Sequence, residues 1–264
     1  MGADVEVDPQ RPSGARVYDY YLGGTHHFAA DREAAEVALA AMPELPAVLR
    51  CGRDFLRRAV TVAASAGLSQ YLDLGAGIPA AGDVPSTARA LVGDARIVSV
   101  DVDPVAVVHT RRLAGDDPRS AALLADLTDA GAVLESAAEL LDLERPVCLL
   151  VVAVAHFIPD TERLGRALER YRDAVAPGSY LALSHACNDG GEPPPYAHQV
   201  LRIYNHTTSP MMMRERDEFR AFFGDWPLLD PGVVPAASWR PSPGGEDPGE
   251  VVRRSLLAGV AVKP

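Results

Sequence analysis

Asp73 stands two residues before Gly75 in Tyr71-Leu72-Asp73-Leu74-Gly75-Ala76-Gly77-Ile78-Pro79. Gly75, Ala76 and Gly77 carry little or no side chain, so the backbone here can approach a ligand closely. Asp73 puts a carboxylate at the mouth of that turn, where a fixed negative charge serves a pyrophosphate poorly and a cation well. Three more strand ends carry chemistry: Asp101 closes 96–101, Asp126 follows 121–125, and His156 follows the apolar run 147–154. Asp101 lies roughly 25 residues beyond the turn, a position suited to hydrogen-bonding both ribose hydroxyls of an adenosine cofactor. Asp126 can accept from an adenine amino group or serve only as a turn residue. His156 is the best-placed candidate general base, since a neutral imidazole takes a proton from an oxygen or nitrogen nucleophile; the alternative is packing. His185, and His26 with His27, are further candidates. Met211-Met212-Met213 reads as an adaptable apolar edge rather than a metal site.

Gly75-Ala76-Gly77-Ile78-Pro79-Ala80 also satisfies the dinucleotide pattern G-x-G-x-x-G/A. Pro79 has no N–H to offer a phosphate, and Asp73 opposes its charge. The electrostatics therefore favour S-adenosylmethionine (SAM), which carries an ammonium and a sulfonium. A nicotinamide oxidoreductase and a non-catalytic SAM-binding regulator are the alternatives.

The elements that must hold these residues alternate β and α. A helix over 47–66 carries Val48, Phe55, Ala59, Val62 and Ala66 on one face, and Arg50, Arg53, Asp54, Arg57 and Arg58 on the other, which reads as solvated. The glycine-turn strand follows. Then come a helix over 86–92, the strand 96–101, a helix capped by Asp103 with Pro104 at its first position, the strand 121–125, and a helix capped by Asp129. Asp103 is explained by its cap and is left out of the site. The unalternating run 147–154 reads as a strand buried on both faces. Asp160 caps the next helix, and Pro177-Gly178 turns into a strand over 179–184. After a loop over 188–195, helices are expected over 196–206 and 214–223. Strands are expected over 232–239 and 254–262, joined by a mobile loop over 240–250. This pattern predicts a doubly wound, Rossmann-like α/β sheet with its ligand site at the carboxyl ends of the strands.

Ahead of it, residues 1–13 read as a loose tail. Residues 15–32 carry Tyr18, Tyr20, Tyr21, Gly23-Gly24 and the two histidines. They read as a helical arm, either packing its aromatics on the core or acting as a lid hinged at Gly23-Gly24. Asp31 is expected to cap a helix reaching Ala41. The expected organisation is a tail and helical lid over 1–46 and one large domain over 47–264, whose insert 188–227 walls part of an acceptor pocket with Tyr18 and Tyr21.

With 264 residues the chain is long enough for such a domain. Its 25 basic and 36 acidic residues leave a net charge of -11. That argues against nucleic acid or an anionic membrane as the main partner. Three scattered cysteines show no metal spacing and make a poor disulfide framework, so no metal and a reducing cytoplasm are expected. No apolar run reaches about 18 residues.

The combined motifs resemble class I SAM-dependent methyltransferases. Asp73 to Pro79 resembles their first motif, Val100-Asp101 the second, Ala125-Asp126-Leu127 the adenine-contacting motif, and Ala176 to Leu181 the entry to the fifth strand. Ala15 to Asp19 with Leu22-Gly23-Gly24, Ala155 to Asp160, and Pro177 to His185 are similar to an actinobacterial family long filed as a domain of unknown function, DUF574. His27 departs from that pattern, which has asparagine after His26. The resemblance implies a seven-stranded sheet with an antiparallel last strand, SAM as cofactor, and methyl transfer to a small molecule, without naming that molecule. The candidate cofactor-binding set is Asp73, Gly75, Ala76, Gly77, Asp101, Val102, Asp126, Leu127, Ala153, His156, Tyr18 and Tyr21. A homo-oligomer is compatible with all of this.

Overall fold

A computed structural model describes residues 7–80, 82–188, 195–242, 244 and 247–264. The expected tail over 1–6, most of the loop over 188–195 and part of the loop over 240–250 lie outside the described residues. The elements run α1 (Gly14–Tyr21), α2 (Ala29–Ala41), α3 (Leu45–Ser65), β1 (Gln70–Leu74), α4 (Val84–Arg89), β2 (Arg96–Asp101), α5 (Pro104–Ala114), β3 (Ser120–Leu124), α6 (Ala130–Ala137), β4 (Cys148–Val151), α7 (Thr161–Ala174), β5 (Tyr180–Asn188), α8 (Pro195–Tyr204), β6 (Arg214–Glu215), α9 (Arg216–Ala221), β7 (Val234–Pro235), α10 (Glu250–Ser255) and β8 (Leu256–Val262).

The sheet order is β3-β2-β1-β4-β5-β8-β7, with β6 paired to β5. β1 to β5 are parallel, and β8 inserts antiparallel between β5 and β7. The sheet thus has eight strands among the described residues where seven are expected, because β6 is an added two-residue pairing. Chain order reverses between β1 and β4, which opens a crevice at their carboxyl ends.

β1 and β4 are buried along their whole length. Successive residues feed opposite faces: Tyr71 and Leu150 join the cluster under α3 with Phe55, Leu56 and Trp239, while Leu72 and Leu149 join Leu164, Tyr171 and Phe219. Two covered faces leave no place for a polar alternation, hence the continuous apolar run of β4. Asp83, Asp103, Asp129 and Asp160 each accept a backbone N–H at a helix start, worth about 1 kcal/mol apiece. No helix among the described residues is long and apolar enough to cross a membrane.

Several boundaries differ from the sequence reading. Asp31 is not an N-cap; it sits one turn inside α2, and its carboxylate accepts from Phe28 N–H at the cap (2.8 Å). Pro46 falls in the first turn of α3, where a missing N–H costs nothing, so the helix runs through it. β4 stops at Val151, and Ala153 adopts φ 57°. The strand expected over 232–239 shrinks to β7 and a 3₁₀ turn over Ala236–Ser238, since Pro235 has no N–H for a ladder. Residues 250–255 form a helix, and the last strand begins only at Leu256. On α3, Ala66 and Arg57 are exposed, but Arg58 turns back to donate to Ala236 O (2.7 Å) and Trp239 O (2.8 Å).

The turn after β1 is set by one close approach. Gly75 has φ +80°, and a Cβ there would lie 2.3 Å from Val154 Cγ2. The glycine therefore serves packing as well as ligand access. Gly75→Ala is expected to lower stability by about 2–4 kcal/mol. Adding Val154→Ala should recover part of that loss in a double-mutant cycle followed by urea unfolding; strictly additive losses would refute the contact.

Candidate functional site

A cleft of about 420 Å³ lies at the carboxyl ends of β1, β2 and β4. Gly75 and Ala76 N–H groups both donate to Val100 O (2.8 and 3.0 Å), which ties the turn to β2. Gly77 N–H instead donates to Asp101 Oδ2 at 2.7 Å, and Asp103 N–H donates to Asp101 Oδ1 at 2.8 Å. Each Asp101 oxygen is oriented by one amide and keeps acceptor capacity for a hydroxyl. Burial raises Asp101 to about pKa 6, against the pull of those amides.

Asp73 is 7% exposed on the same wall. Burial pushes its carboxyl up to about 7; Arg53 opposes that shift, while Asp101 and Asp83 add to it. Arg53, from α3, lines the cleft, and its Nη2 is buried without a hydrogen-bond partner. An unmet buried guanidinium N–H is costly, and so is a buried carboxylate without a cation. One cleft thus offers both a cation's partner and an anion's partner, the requirement of an amino-acid zwitterion.

The arm closes over this cleft with Ser13, Gly14, Arg16 and Tyr18. Arg16 is buried; its Nε donates to Asp31 Oδ2 at 2.9 Å, and its Nη1 lies 3.6 Å from Asp103 Oδ2. Ser13 Oγ also bonds to Asp103, and Ser13 N–H donates to Asp31 Oδ1 at 3.0 Å. Asp103 does two jobs with two oxygens: Oδ1 caps α5 through Val105 N–H, and Oδ2 holds the arm.

Beyond Tyr18, Ala153 and Phe157, which line both spaces, is a second cavity of about 90 Å³. Ala153 N–H donates to Ser184 Oγ (2.9 Å), which helps hold its left-handed backbone at the junction. His156 lies in a 3₁₀ turn and lines the second cavity. Its Nδ1 accepts from Ala186 N–H at 3.4 Å. Burial, then His185 and Arg214, push its pKa well below the ordinary value, so the ring is neutral. With Nδ1 an acceptor, the proton sits on Nε2.

The remaining sequence candidates fall elsewhere. Val102 sits at the cleft rim, 68% exposed. Asp126 is outside the cleft lining, paired with Arg163 (2.9 Å) and accepting from Thr128; Leu127 is buried against the second core cluster. Tyr21 packs in the core, its hydroxyl donating to Ala35 O (3.4 Å). His185 accepts from Arg214 Nη1 at 2.7 Å through Nε2, and burial lowers it to about 3. His26 stacks on His109 (3.9 Å between centroids), and His27 contacts Gly24 O. Neither lines the cavities. Met211 and Met213 line the second cavity. Among the described residues, no cluster of three or more His, Cys, Asp or Glu side chains is arranged to hold a metal ion.

Sequence reasoning put Arg53 on the solvated face and omitted Ser13, Arg16 and Asp103. The signal for Arg53 was present: it shares a helical stripe with Leu49, Leu56 and Val60, at spacings of four, three and seven.

A glycine turn, an acid ending the next strand and a cleft at a chain-order reversal are the layout of Rossmann-like proteins that bind an adenosine cofactor. The chain belongs to the S-adenosyl methyltransferase family, whose profile matches residues 2–264. It is similar to a crystal structure from Thermobifida fusca provisionally assigned as a methyltransferase (TM-score 0.90, 34% identity, 96% of each chain covered). It is also similar to a DUF574 family protein from Streptomyces avermitilis (TM-score 0.91, 32% identity, 98% of this chain and 100% of that one). A search of curated proteins returns no match.

The raised Asp73 has a stability signature. Its folded value, about 7, exceeds the ordinary 3.8. The ligand-free protein therefore has this group's stabilisation in full below about pH 4 and loses it as pH rises through 7. Asp73→Asn is expected to raise ligand-free stability at pH 8 by ~1–3 kcal/mol and to change little near pH 4, read from urea unfolding at both pH values. A destabilised Asn variant at pH 8 would overturn the assignment of Asp73 as a strained site group.

Proposed function

We propose that this chain is a SAM-dependent methyltransferase acting on a small molecule held in the cavity beside the cleft. The observation that carries the reading is the buried Asp73 carboxylate sharing a cleft with the partnerless Arg53 Nη2. SAM's methionine end is a zwitterion: its ammonium meets Asp73, its carboxylate meets Arg53, and neither protein group is then left uncompensated. Asp101, steadied by two amides, takes the ribose hydroxyls. Val102 gives the adenine an apolar edge at the rim. A dinucleotide pyrophosphate would instead meet the Asp73 charge and a turn whose Gly75, Ala76 and Gly77 amides are already committed.

Bound SAM supplies a methyl on a positively charged sulfur. The protein's part is alignment and exclusion of water. Tyr18, Ala153 and Phe157 form the shared wall through which cleft and cavity communicate. The arm, fastened by Arg16 and Ser13 to Asp103, acts as a cover that must loosen for exchange. The three cysteines are buried without disulfides, which supports a reducing cytoplasmic location.

Calorimetry with S-adenosylhomocysteine tests the reading. Asp101→Ala is expected to weaken binding by about 1–3 kcal/mol, and Arg53→Met to do likewise, since each leaves a ligand polar group unpaired. Asp73 and Asp101 must be ionised to act, and their values lie near 7 and 6. Affinity should therefore rise from pH 5.5 to pH 7.5. Tight NADH binding without S-adenosylhomocysteine binding would sink the proposal.

A further inference from the structure

Resting on the methyltransferase reading, the second cavity limits what the methyl can be given to. Its walls are apolar: Leu45, Val48, Val200, Leu201 and Met213 stand around His156. Among the described lining residues, Arg254 is the single side chain with a fixed charge; it is exposed and lies 3.6 Å from Glu250. A cation would lose its hydration here and gain no partner among the described lining residues, and an anion would find only Arg254, which already lies beside Glu250. The space, about 90 Å³, holds on the order of six water-sized groups, the scale of one ring.

His156 is the polar group that decides the chemistry. Its Nδ1 is engaged by Ala186 N–H, so its neutral form carries the proton on Nε2. The groups that face it discourage a second proton. His185 is 5.6 Å away between ring centroids and is locked neutral by accepting from Arg214; the Arg214 cation lies behind it, and Phe157 stacks at 4.4 Å. Arg214 is itself fixed by the carbonyls of Ala155 (3.2 Å) and Ile158 (2.7 Å), which frame the His156 turn. A proton taken up by this ring would be buried beside a cation, with no carboxylate among the described residues that line the cavity. The general-base role expected from the sequence does not fit that arrangement.

We infer that the methyl acceptor is an uncharged, ring-sized heteroaromatic whose nitrogen is methylated, and that His156 binds a second polar atom of it, such as a carbonyl oxygen, as an N–H donor rather than removing its proton. A neutral ring nitrogen needs no base. Its lone pair forms the new bond to the methyl carbon, and the C–S pair stays on sulfur. The positive charge moves from sulfur to the ring nitrogen. Where the ring is an azole, its unprotonated nitrogen attacks and the proton leaves afterwards from the other nitrogen to water. The cationic product is then poorly held by the apolar walls, which favours its release. An alcohol would stay an inert nucleophile here.

Three related probes separate the cases: nicotinamide (neutral), nicotinate (anion) and 1-methylnicotinamide (cation, one methyl larger). They are titrated at pH 7.5 into protein with and without S-adenosylhomocysteine, with binding read by NMR chemical shifts. The expected result is at least tenfold tighter binding of nicotinamide than of either ion. His156→Gln, which keeps an N–H donor, should retain most of that binding, and His156→Leu should lose it. Val200→Trp should fill the cavity and abolish probe binding while leaving S-adenosylhomocysteine binding intact; Ala197→Leu is the milder filling variant if the tryptophan unfolds the protein. Equal or tighter binding of an ion, no binding of any probe, or wild-type binding by His156→Leu overturns the inference. Failure of S-adenosylhomocysteine to bind overturns the methyltransferase reading instead, because the probe series without it still reports on the cavity.

Discussion

A carboxylate buried at the end of the central strand governs this molecule. Asp73 lies between β2 and β4, where neighbouring strands exclude water, so its charged form is disfavoured until a cation arrives. The sheet cannot relieve it: Arg53 is close enough to oppose the shift yet keeps an unpartnered Nη2 of its own. The free protein therefore keeps two unmet electrostatic demands of opposite sign in one cleft. On the proposed reading, the zwitterionic end of SAM would answer both at once. Such arrangements lower stability where they raise affinity, as in other functional sites that hold strain.

Around that demand the chain uses few residues several ways. Asp101 is oriented by the turn it faces and by the helix start beyond it. Asp103 caps α5 with one oxygen and fastens the arm with the other. Arg16 joins Asp31 of α2 to Asp103, so the cover is registered to the loop it covers. The Ala153 backbone is left-handed where β4 must stop, and that break turns the following residues toward the second cavity. Arg214 then holds the His156 turn by its carbonyls. Cleft and cavity are thus positioned by strand ends and fixed hydrogen bonds.

Much of the fold is legible in the residue pattern. The apolar run 147–154 reads as a buried parallel strand because both sheet faces are covered, and the stretch before the glycine turn reads as a short buried strand. The aspartates at 103, 129 and 160 mark three helix starts, and the doubly wound order follows from alternation and handedness. What fails is local competition. Propensity reads a strand through Val154, yet the Ala153 N–H donates to Ser184 Oγ, a strand away, which stabilises a left-handed Ala153. Periodicity reads 232–239 as a strand, yet Pro235 removes the donor a ladder needs. Two-residue pairings such as β6 carry too little pattern to be seen at all.

The same division runs through the site. Glycines and acids at strand ends can be found from spacing, because strand, turn and helix fix their positions locally: Gly75, Gly77, Asp73 and Asp101 meet in one cleft. Arg53, Ser13 and Arg16 reach that cleft from helices distant in sequence, and helical phase alone does not say which neighbour a stripe will face. Asp126 and Tyr21 carry the right chemistry but are claimed by Arg163 and by the core. His156 is a sensible base by type and position; only packing against Ala186, His185 and Arg214 fixes where its proton sits. The sequence by itself determined the sheet, its helix starts and the acidic glycine turn, since those follow from periodicity and short-range hydrogen bonding. Tertiary structure alone decided which charges are left without partners and which imidazole nitrogen holds the proton, because burial and long-range contacts set both.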